Sequence, residues 1–153
     1  MKITESIKNL TNIFIRPVVD SDLPAFYLHQ ADAEAARMAD FPSRDETAFY
    51  AHWRKIMADP LTILRTIQYD GQVVGNVVSF VMEGNREVGY WLGCEFWGKG
   101  IASAALRLFL MEVTERPLYG VAANSNPASM RVLEKCGFVL DRETQDERIY
   151  RLD

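Results

Sequence analysis

Apolar positions along the chain switch between a period of two and a period of three to four, and the switches set out an order of elements. Ile13 to Val19 reads as a first strand, with Pro17 marking an edge position or a break. Asp20-Ser21-Asp22 supplies capping oxygens for a helix from about Leu23 to His29. Phe49, Trp53, Ile56 and Met57 fall at helical spacing and predict a second helix from Asp45 to Met57, ended by Asp59-Pro60. Thr62 to Tyr69 is rich in β-branched residues and predicts a strand. Asp70-Gly71 is a two-residue hairpin turn leading into Val73–Val81. A turn at Gly84-Asn85 precedes a strand from Arg86 to Leu92. The pattern then turns helical from Ile101 to Glu115, with Ala102, Ala105, Leu106, Phe109, Leu110 and Val113 on one face. Leu118 to Ala123 is a short apolar strand, and Asn126 to Lys135 a helix with Gly137 at its C′ position. Phe138–Leu140 and Arg148–Leu152 close the chain as strands. The predicted order is β-α-α-β-β-β-α-β-α-β-β, an α/β single domain with an antiparallel meander and helices on the faces of a mixed sheet.

Composition narrows the classes. A chain of 153 residues with 48% hydrophobic and 25% charged residues fits one ordinary domain. A net charge of −4 argues against nucleic acid as the main partner, because phosphate-backbone binding needs a concentrated basic surface. The first eight residues contain no apolar signal-peptide core, and no run approaches the ~18 apolar residues of a membrane span. We therefore expect a cytoplasmic protein with Cys94 and Cys136 reduced. His29, His52 and the two cysteines show no metal-ligand spacing, and no metal is expected.

The stretch Gly89-Tyr90-Trp91-Leu92-Gly93-Cys94-Glu95-Phe96-Trp97-Gly98-Lys99-Gly100-Ile101-Ala102 places a glycine-rich loop between a strand and a helix. A helix N-terminus offers unpaired N–H groups and partial positive charge, which suits a phosphate or pyrophosphate. Lys99 could add a full charge. A Gly-x-Gly taken alone also fits a tight helix start. The order of residues excludes two other phosphate loops. Lys99 lies between the glycines, not after them as in a Walker loop, and no third glycine completes a dinucleotide fingerprint.

The loop resembles the acyl-CoA loop of the GNAT superfamily of N-acetyltransferases, Gln/Arg-x-x-Gly-x-Gly/Ala, which maps onto Trp97-Gly98-Lys99-Gly100-Ile101-Ala102. Trp97 departs from the usual Gln or Arg. The departure, together with Glu87-Val88-Gly89-Tyr90-Trp91-Leu92-Gly93 upstream, is similar to the ribosomal-protein N-terminal acetyltransferase branch. The resemblance continues at Asn126-Pro127-Ala128-Ser129 and at Gly137-Phe138, one helix and one strand downstream. It covers nearly the whole element order and is weakest from Asp20 to Asp59.

The resemblance implies a sheet that splays between its fourth and fifth strands. It also implies an acetyl-CoA-dependent N-acetyltransferase, an acyltransferase that moves an acetyl group to a primary amine by direct attack. The acceptor would be a small-molecule amine or a peptide or protein N-terminus. Cofactor-binding residues implied in this way are Leu92 and Gly93 through their backbones, the loop Trp97, Gly98, Lys99, Gly100, Ile101 and Ala102, and then Asn126 and Lys135. Many relatives carry a catalytic tyrosine seven residues after the motif asparagine; that position is Leu133 here, and Ser129 becomes the candidate hydrogen-bond donor to the leaving thiolate. Ser129 equally fits a helix-start serine. Glu87, on the fourth strand, is the candidate base, with a water relay as the alternative. Cys94 and Cys136 read as packing residues. Phe41, Phe49, Tyr50 and Trp53 fit either an acceptor pocket or the core, and His52 either the acceptor site or solvent.

The acidic residues Asp20, Asp22, Asp32, Glu34, Asp40, Asp45 and Glu46 would suit a cationic acceptor or a solvated helix pair. A CoA-binding sensor without turnover is the competing reading, for which Leu133 leaves room. Pairing as a homodimer, common among relatives, is compatible with the sequence.

Overall fold

The computed structural model describes residues 12–40 and 42–153, so the reading of the N-terminal octapeptide and of Phe41 lies outside the described residues. The described residues form a seven-stranded sheet in the order β1-β2-β3-β4-β5-β7-β6, with β1 Ile13–Pro17, β2 Ile63–Tyr69, β3 Gln72–Met82, β4 Asn85–Leu92, β5 Leu118–Ala123, β6 Val139–Glu143 and β7 Glu147–Leu152. The helices are α1 Leu23–Ala31, α2 Ala33–Ala39, α3 Glu46–Ala58, α4 Ile101–Glu112 and α5 Pro127–Lys135.

Local chemistry explains most boundaries. Asp70 at φ 55° and Gly71 at φ 77° turn β2 into β3, as a two-residue loop with both central residues left-handed requires. The next turn falls on Glu83 and Gly84, one residue before the expected Gly84-Asn85, and Asn85 already pairs with Met82. Helix α2 was not expected from the apolar pattern: it is seven residues long, made largely of alanine, and buries only Ala35. Its signals are in its caps, since the Asp32 side chain accepts from the Ala35 N–H at 2.9 Å and Asp40 closes it at φ 50°. Helix α4 stops at Glu112, three residues short of expectation, and Arg116 Nη1 donates to the Val113 and Glu115 carbonyls beyond its end, each at 2.9 Å.

The sheet is covered on both faces. One core joins Val77, Val88 and Leu92 to Leu106 and Phe109 of α4 and Leu133 of α5. The other joins Leu64 to Leu23 and Phe26 of α1 and Phe49 and Trp53 of α3. Each such large apolar side chain contributes about 1.5–3 kcal/mol on burial. All neighbouring strands are antiparallel except β4 and β5, which pair in parallel from Arg86↔Leu118 to Val88↔Gly120 only. Beyond Val88 and Gly120 the two strands continue without pairing to each other. This is the expected splay, and it opens the sheet at the C-terminal ends of β4 and β5.

A buried carboxylate ties β1 and β2 to the start of α1. Asp22 is 2% exposed and accepts two bonds from the Arg16 guanidinium at 2.7 Å, one from Thr66 Oγ1 at 2.7 Å and one from the Val19 N–H at 3.0 Å. Burial pushes its pKa up, and the bonds from Arg16, Val19 and Thr66 outweigh that and leave it lowered. A lowered carboxylate pKa stabilises the fold above the unfolded value of about 4 and loses that contribution as pH falls through the folded value. Asp22→Ala is expected to cost about 3 kcal/mol in urea unfolding at pH 7, with the gap to wild type shrinking at pH 3.

Candidate active site

Strand β4 ends at Leu92, and a single 3₁₀ turn, Cys94–Phe96, leads into the loop before α4. Gly98 and Gly100 both take left-handed backbone conformations, φ 76° and 80°, and a Cβ at either would meet nothing within 4 Å. Their glycine is required by the backbone turn and not by crowding. Gly100 is the N-cap of α4 and so offers no side chain to the first helical N–H groups. Among the described residues, the N–H groups of residues 98 to 103 donate to no protein acceptor; the first to do so is that of Ala104, to the Gly100 carbonyl at 3.1 Å. These main-chain donors stand at the positive end of a twelve-residue helix, and five of the six residues, Gly98, Gly100, Ile101, Ala102 and Ser103, line a shared opening.

The two residues before the loop play different parts. The Gly93 N–H donates to the Val74 carbonyl at 2.9 Å, so it is taken up by the protein. The expectation that Gly93 offers its N–H to a cofactor is corrected by that bond, which continues the β3–β4 ladder one rung beyond the Gly75↔Leu92 pair. The close approach that demands glycine here is to His29, whose Cδ2 would lie 2.8 Å from a Cβ at Gly93. In an antiparallel pair N–H directions alternate, so with Gly93 bonded to β3 the Leu92 N–H points away from β3 into the splay. The Leu92 carbonyl accepts from the Trp97 indole at 3.0 Å, which fixes the loop to the strand end.

Across the splay, α5 opens with Asn126 as N-cap, its Oδ1 accepting from the Ser129 N–H at 3.2 Å. Ser129 Oγ lies 2.7 Å from the Tyr90 hydroxyl, which also donates to the Ser129 carbonyl at 3.0 Å. Tyr90 comes from β4 on the same face as Val88 and Leu92, and burial above all raises its pKa far above the usual phenol value. It stays protonated and spans the splay as a neutral strut. Tyr90 was not singled out from the sequence; its position on the face opposite Glu87 and Gly89 in the strand alternation was the available signal. Leu133, at the position where relatives carry a tyrosine, is 1% exposed and packs in the core.

Two cavities meet at this strut. The first, about 300 Å³, is lined by Leu92, Trp97, Gly98, Gly100, Ile101, Ala102, Asn126, Ser129 and Lys135. The second, about 380 Å³, opens on the α1 and α3 side and is lined by Phe26, Phe49, Trp53, Phe80, Asn76, His52 and Arg44 among others. Ala39, Tyr90, Trp91, Asn126 and Ser129 line both.

The remaining sequence candidates fall elsewhere. Glu87 lines neither cavity; burial first, then Glu147 and Glu83, raise its pKa, with Arg142 opposing. Lys99 is exposed at the loop tip and is likewise outside the first cavity's lining. Cys94 is exposed, which corrects its reading as a packing residue, and its thiol pKa is raised by desolvation and by Asp32, which holds it protonated. Cys136 is half-buried and its thiol donates to the Ser103 carbonyl at 3.5 Å. No cluster of three or more potential metal ligands occurs among the described residues, and none of their helices is long and apolar enough to cross a membrane.

Comparison with known proteins agrees with this architecture. The acetyltransferase (GNAT) domain family matches residues 12–139. The "Putative ribosomal N-acetyltransferase YdaF" of Bacillus subtilis (strain 168) is 35% identical over 118 residues, 71% of this chain. That match spans 64% of the relative's length, a little under two thirds. Among solved structures, the spermidine N-acetyltransferase of Vibrio cholerae in complex with CoA and spermine superposes with a TM-score of 0.81 at 16% identity, covering 93% of this chain and 95% of that one. RimL, a ribosomal L7/L12 α-N-protein acetyltransferase crystallised with coenzyme A, gives 0.78 at 19% identity, covering 93% and 94%. A splayed mixed sheet with a glycine loop on its fourth strand and a second motif across the gap defines the class, and the chain belongs to the GNAT acetyltransferase family.

Proposed function

We propose that the protein moves the acetyl group of acetyl-CoA to a primary amine, with the cosubstrate in the first cavity and the acceptor in the second. The observation that carries this reading is the meeting of the two cavities at Tyr90 and Ser129, beside a helix N-terminus whose N–H groups have no protein acceptor. The six donors of residues 98–103 match a pyrophosphate, and Lys99 adds charge from outside. Asn126 caps α5 and leaves its amide N–H groups to a pantetheine amide. Lys135, at the far end of α5, faces the same cavity and suits a CoA phosphate.

Acetyl-CoA supplies a thioester carbonyl activated toward an amine. Leu92 directs its N–H toward the splay, where it can donate to the carbonyl oxygen as that oxygen gains charge. The amine attacks from the second cavity, a new C–N bond forms, and the C–S bond breaks with its electron pair going to sulfur. Ser129 Oγ–H donates to that sulfur, and Tyr90, always protonated, turns its own hydrogen bond to Ser129 Oγ to balance the exchange. The proton lost by the amine passes to water in the second cavity. Glu87, which lines neither cavity, has a raised pKa suited to a base but would reach the acceptor only through such water. The exposed, protonated Cys94 supports direct transfer over an acetyl-cysteine step.

The relatives carry names for acceptors as different as a ribosomal protein and spermidine, so both kinds of amine belong in the test. The test is thiol release from acetyl-CoA with a panel of amines and N-terminal peptides. Amine-dependent release is expected. Saturable acetyl-CoA binding without release for any amine would instead favour a sensor, the reading that the buried, apolar Leu133 leaves open.

A further inference from the structure

We infer that the acceptor is a primary amine joined by a short chain to an uncharged aromatic body, seated in the second cavity where Gly89 leaves a slot in the wall. The inference rests on the reading of that cavity as the acceptor site. Gly89 is the first residue of β4 past Val88↔Gly120, the last rung that joins β4 to β5, so it stands at the mouth of the splay. It pairs with Val78 of β3 in extended conformation, and no positive φ calls for glycine there. Crowding does not call for it either. A Cβ would lie 3.7 Å from Val78 Cγ2 and 3.8 Å from Phe80 Cε1, which are ordinary contact distances. Val78 and Phe80 are half-buried and line the second cavity with Gly89. What the missing side chain leaves is room for a ligand on the cavity side, beside an aromatic ring.

The wall beyond the slot is aromatic and already formed. Phe26, Phe49 and Trp53 line it and are buried. Their rings pack on one another, Phe26 to Trp53 with centroids 5.0 Å apart and Phe49 to Trp53 with centroids 6.1 Å apart, which limits their freedom to turn. Aromatic rings favour tilted and edge contacts, and a ligand ring entering beside Phe80 finds more of them. An apolar cavity of about 150 Å³ is enough to hold benzene. The second cavity, at about 380 Å³, has space for a ring and for the short arm that carries its amine to the junction at Tyr90 and Ser129.

The same wall is poor in charge. Among the described residues that line the cavity there is no Asp, Glu or Lys. Arg44, the one arginine, is already engaged within the protein. Gln30 of α1 is spent on its backbone: Nε2 donates to the Arg44 carbonyl at 3.1 Å and to the Tyr27 carbonyl at 3.2 Å, and Oε1 accepts from the Arg44 N–H at 2.9 Å. His52 of α3 is half-buried, and burial, then Arg44 and Lys55, lower its pKa, so its imidazole is uncharged at neutral pH. A distal ammonium on the acceptor would be desolvated with no carboxylate to offset it, and a distal carboxylate would meet an arginine already engaged. An uncharged wall also favours the neutral form of the attacking amine, in a site where no Asp or Glu lines either cavity.

The test uses the full chain with saturating acetyl-CoA and thiol release as the readout. One set of acceptors is 2-phenylethylamine, 1,4-diaminobutane and 4-aminobutanoate, whose far ends are aromatic, cationic and anionic. The peptides Phe-Ala-Ala, Lys-Ala-Ala and Glu-Ala-Ala repeat the comparison at an N-terminus, and the set that responds tells a small acceptor from a peptide. The expected result is at least a tenfold higher kcat/KM for the aromatic member of one set or both. Gly89→Val fills the slot and is expected to lower that kcat/KM at least tenfold, through KM, with the acetyl-CoA Kd unchanged, which also reports that the variant is folded. Gly89→Ala, whose Cβ meets only ordinary contacts, is expected to raise the same KM several-fold and decides the matter if Gly89→Val does not fold. Three results overturn the inference and leave the acetyltransferase reading intact: no aromatic preference in either set, release from the wider amine panel but from none of these six, or an aromatic preference untouched by the Gly89 variants. Acetyl-CoA binding with no release from any of the six acceptors or the wider panel overturns both.

Discussion

Gly100→Asp is expected to weaken CoA binding at least 100-fold. Two effects combine. Gly100 sits at φ 80°, where a residue with a Cβ is strained, and the new carboxylate would stand at the N-terminus of α4 where the diphosphate is placed. Repulsion from the diphosphate is the larger of the two, because Asp is among the side chains best tolerated in the left-handed region. Gly84→Asp is the matched control. Gly84 has φ 82° with nothing within 4 Å of a Cβ, and it lies in the β3–β4 turn at the opposite end of β4 from the loop. Both variants should lose a similar amount of stability, about 1–2 kcal/mol, and only Gly100→Asp should lose CoA, by calorimetric titration. Equal CoA affinity in the two would place the phosphate site elsewhere.

Ser129→Ala is expected to lower kcat roughly 10- to 100-fold with little change in acetyl-CoA Kd. A hydrogen bond to a charged group contributes about 1.5–3 kcal/mol, and this one forms only as sulfur leaves, so its loss falls on kcat. Ser129→Thr keeps the hydroxyl and should recover most of the rate. Tyr90→Phe removes the strut without touching the substrate. It should lower kcat by about fivefold through a misplaced Ser129 and leave Ser129→Ala unaffected when the two are combined. Rates that multiply in the double variant would show Tyr90 acting independently of Ser129. Native turnover in Ser129→Ala would reduce Ser129 to a helix-start residue.

The parts of the fold that depend on local chemistry were legible in the chain. Asp70-Gly71 fixed a hairpin, the Phe49–Trp53 spacing fixed α3, and Leu118–Ala123 was bounded correctly at both ends. Helix α2 escaped because alanine carries helix propensity but almost no hydrophobic periodicity. The loop glycines were legible because positive φ restricts the residue type. What escaped at the site were the tertiary pairings. That Tyr90 reaches Ser129, that Gly93 gives its N–H to Val74, and that Gln30 grips Arg44 all depend on how the strands splay and how α1 lies on the sheet. The acidic residues of the helical segment, which suited either a cationic acceptor or a solvated helix pair, include Asp32 and Asp45 as helix caps and Asp22 bound to Arg16, partners that the residue count alone does not give.

The most direct test of the account is an amide NMR titration of the ¹⁵N-labelled protein with CoA. Saturable shifts are expected to concentrate at the N–H groups of residues 98–103, the six that find no acceptor within the protein. Shifts that saturate elsewhere while those six signals stay still would contradict it.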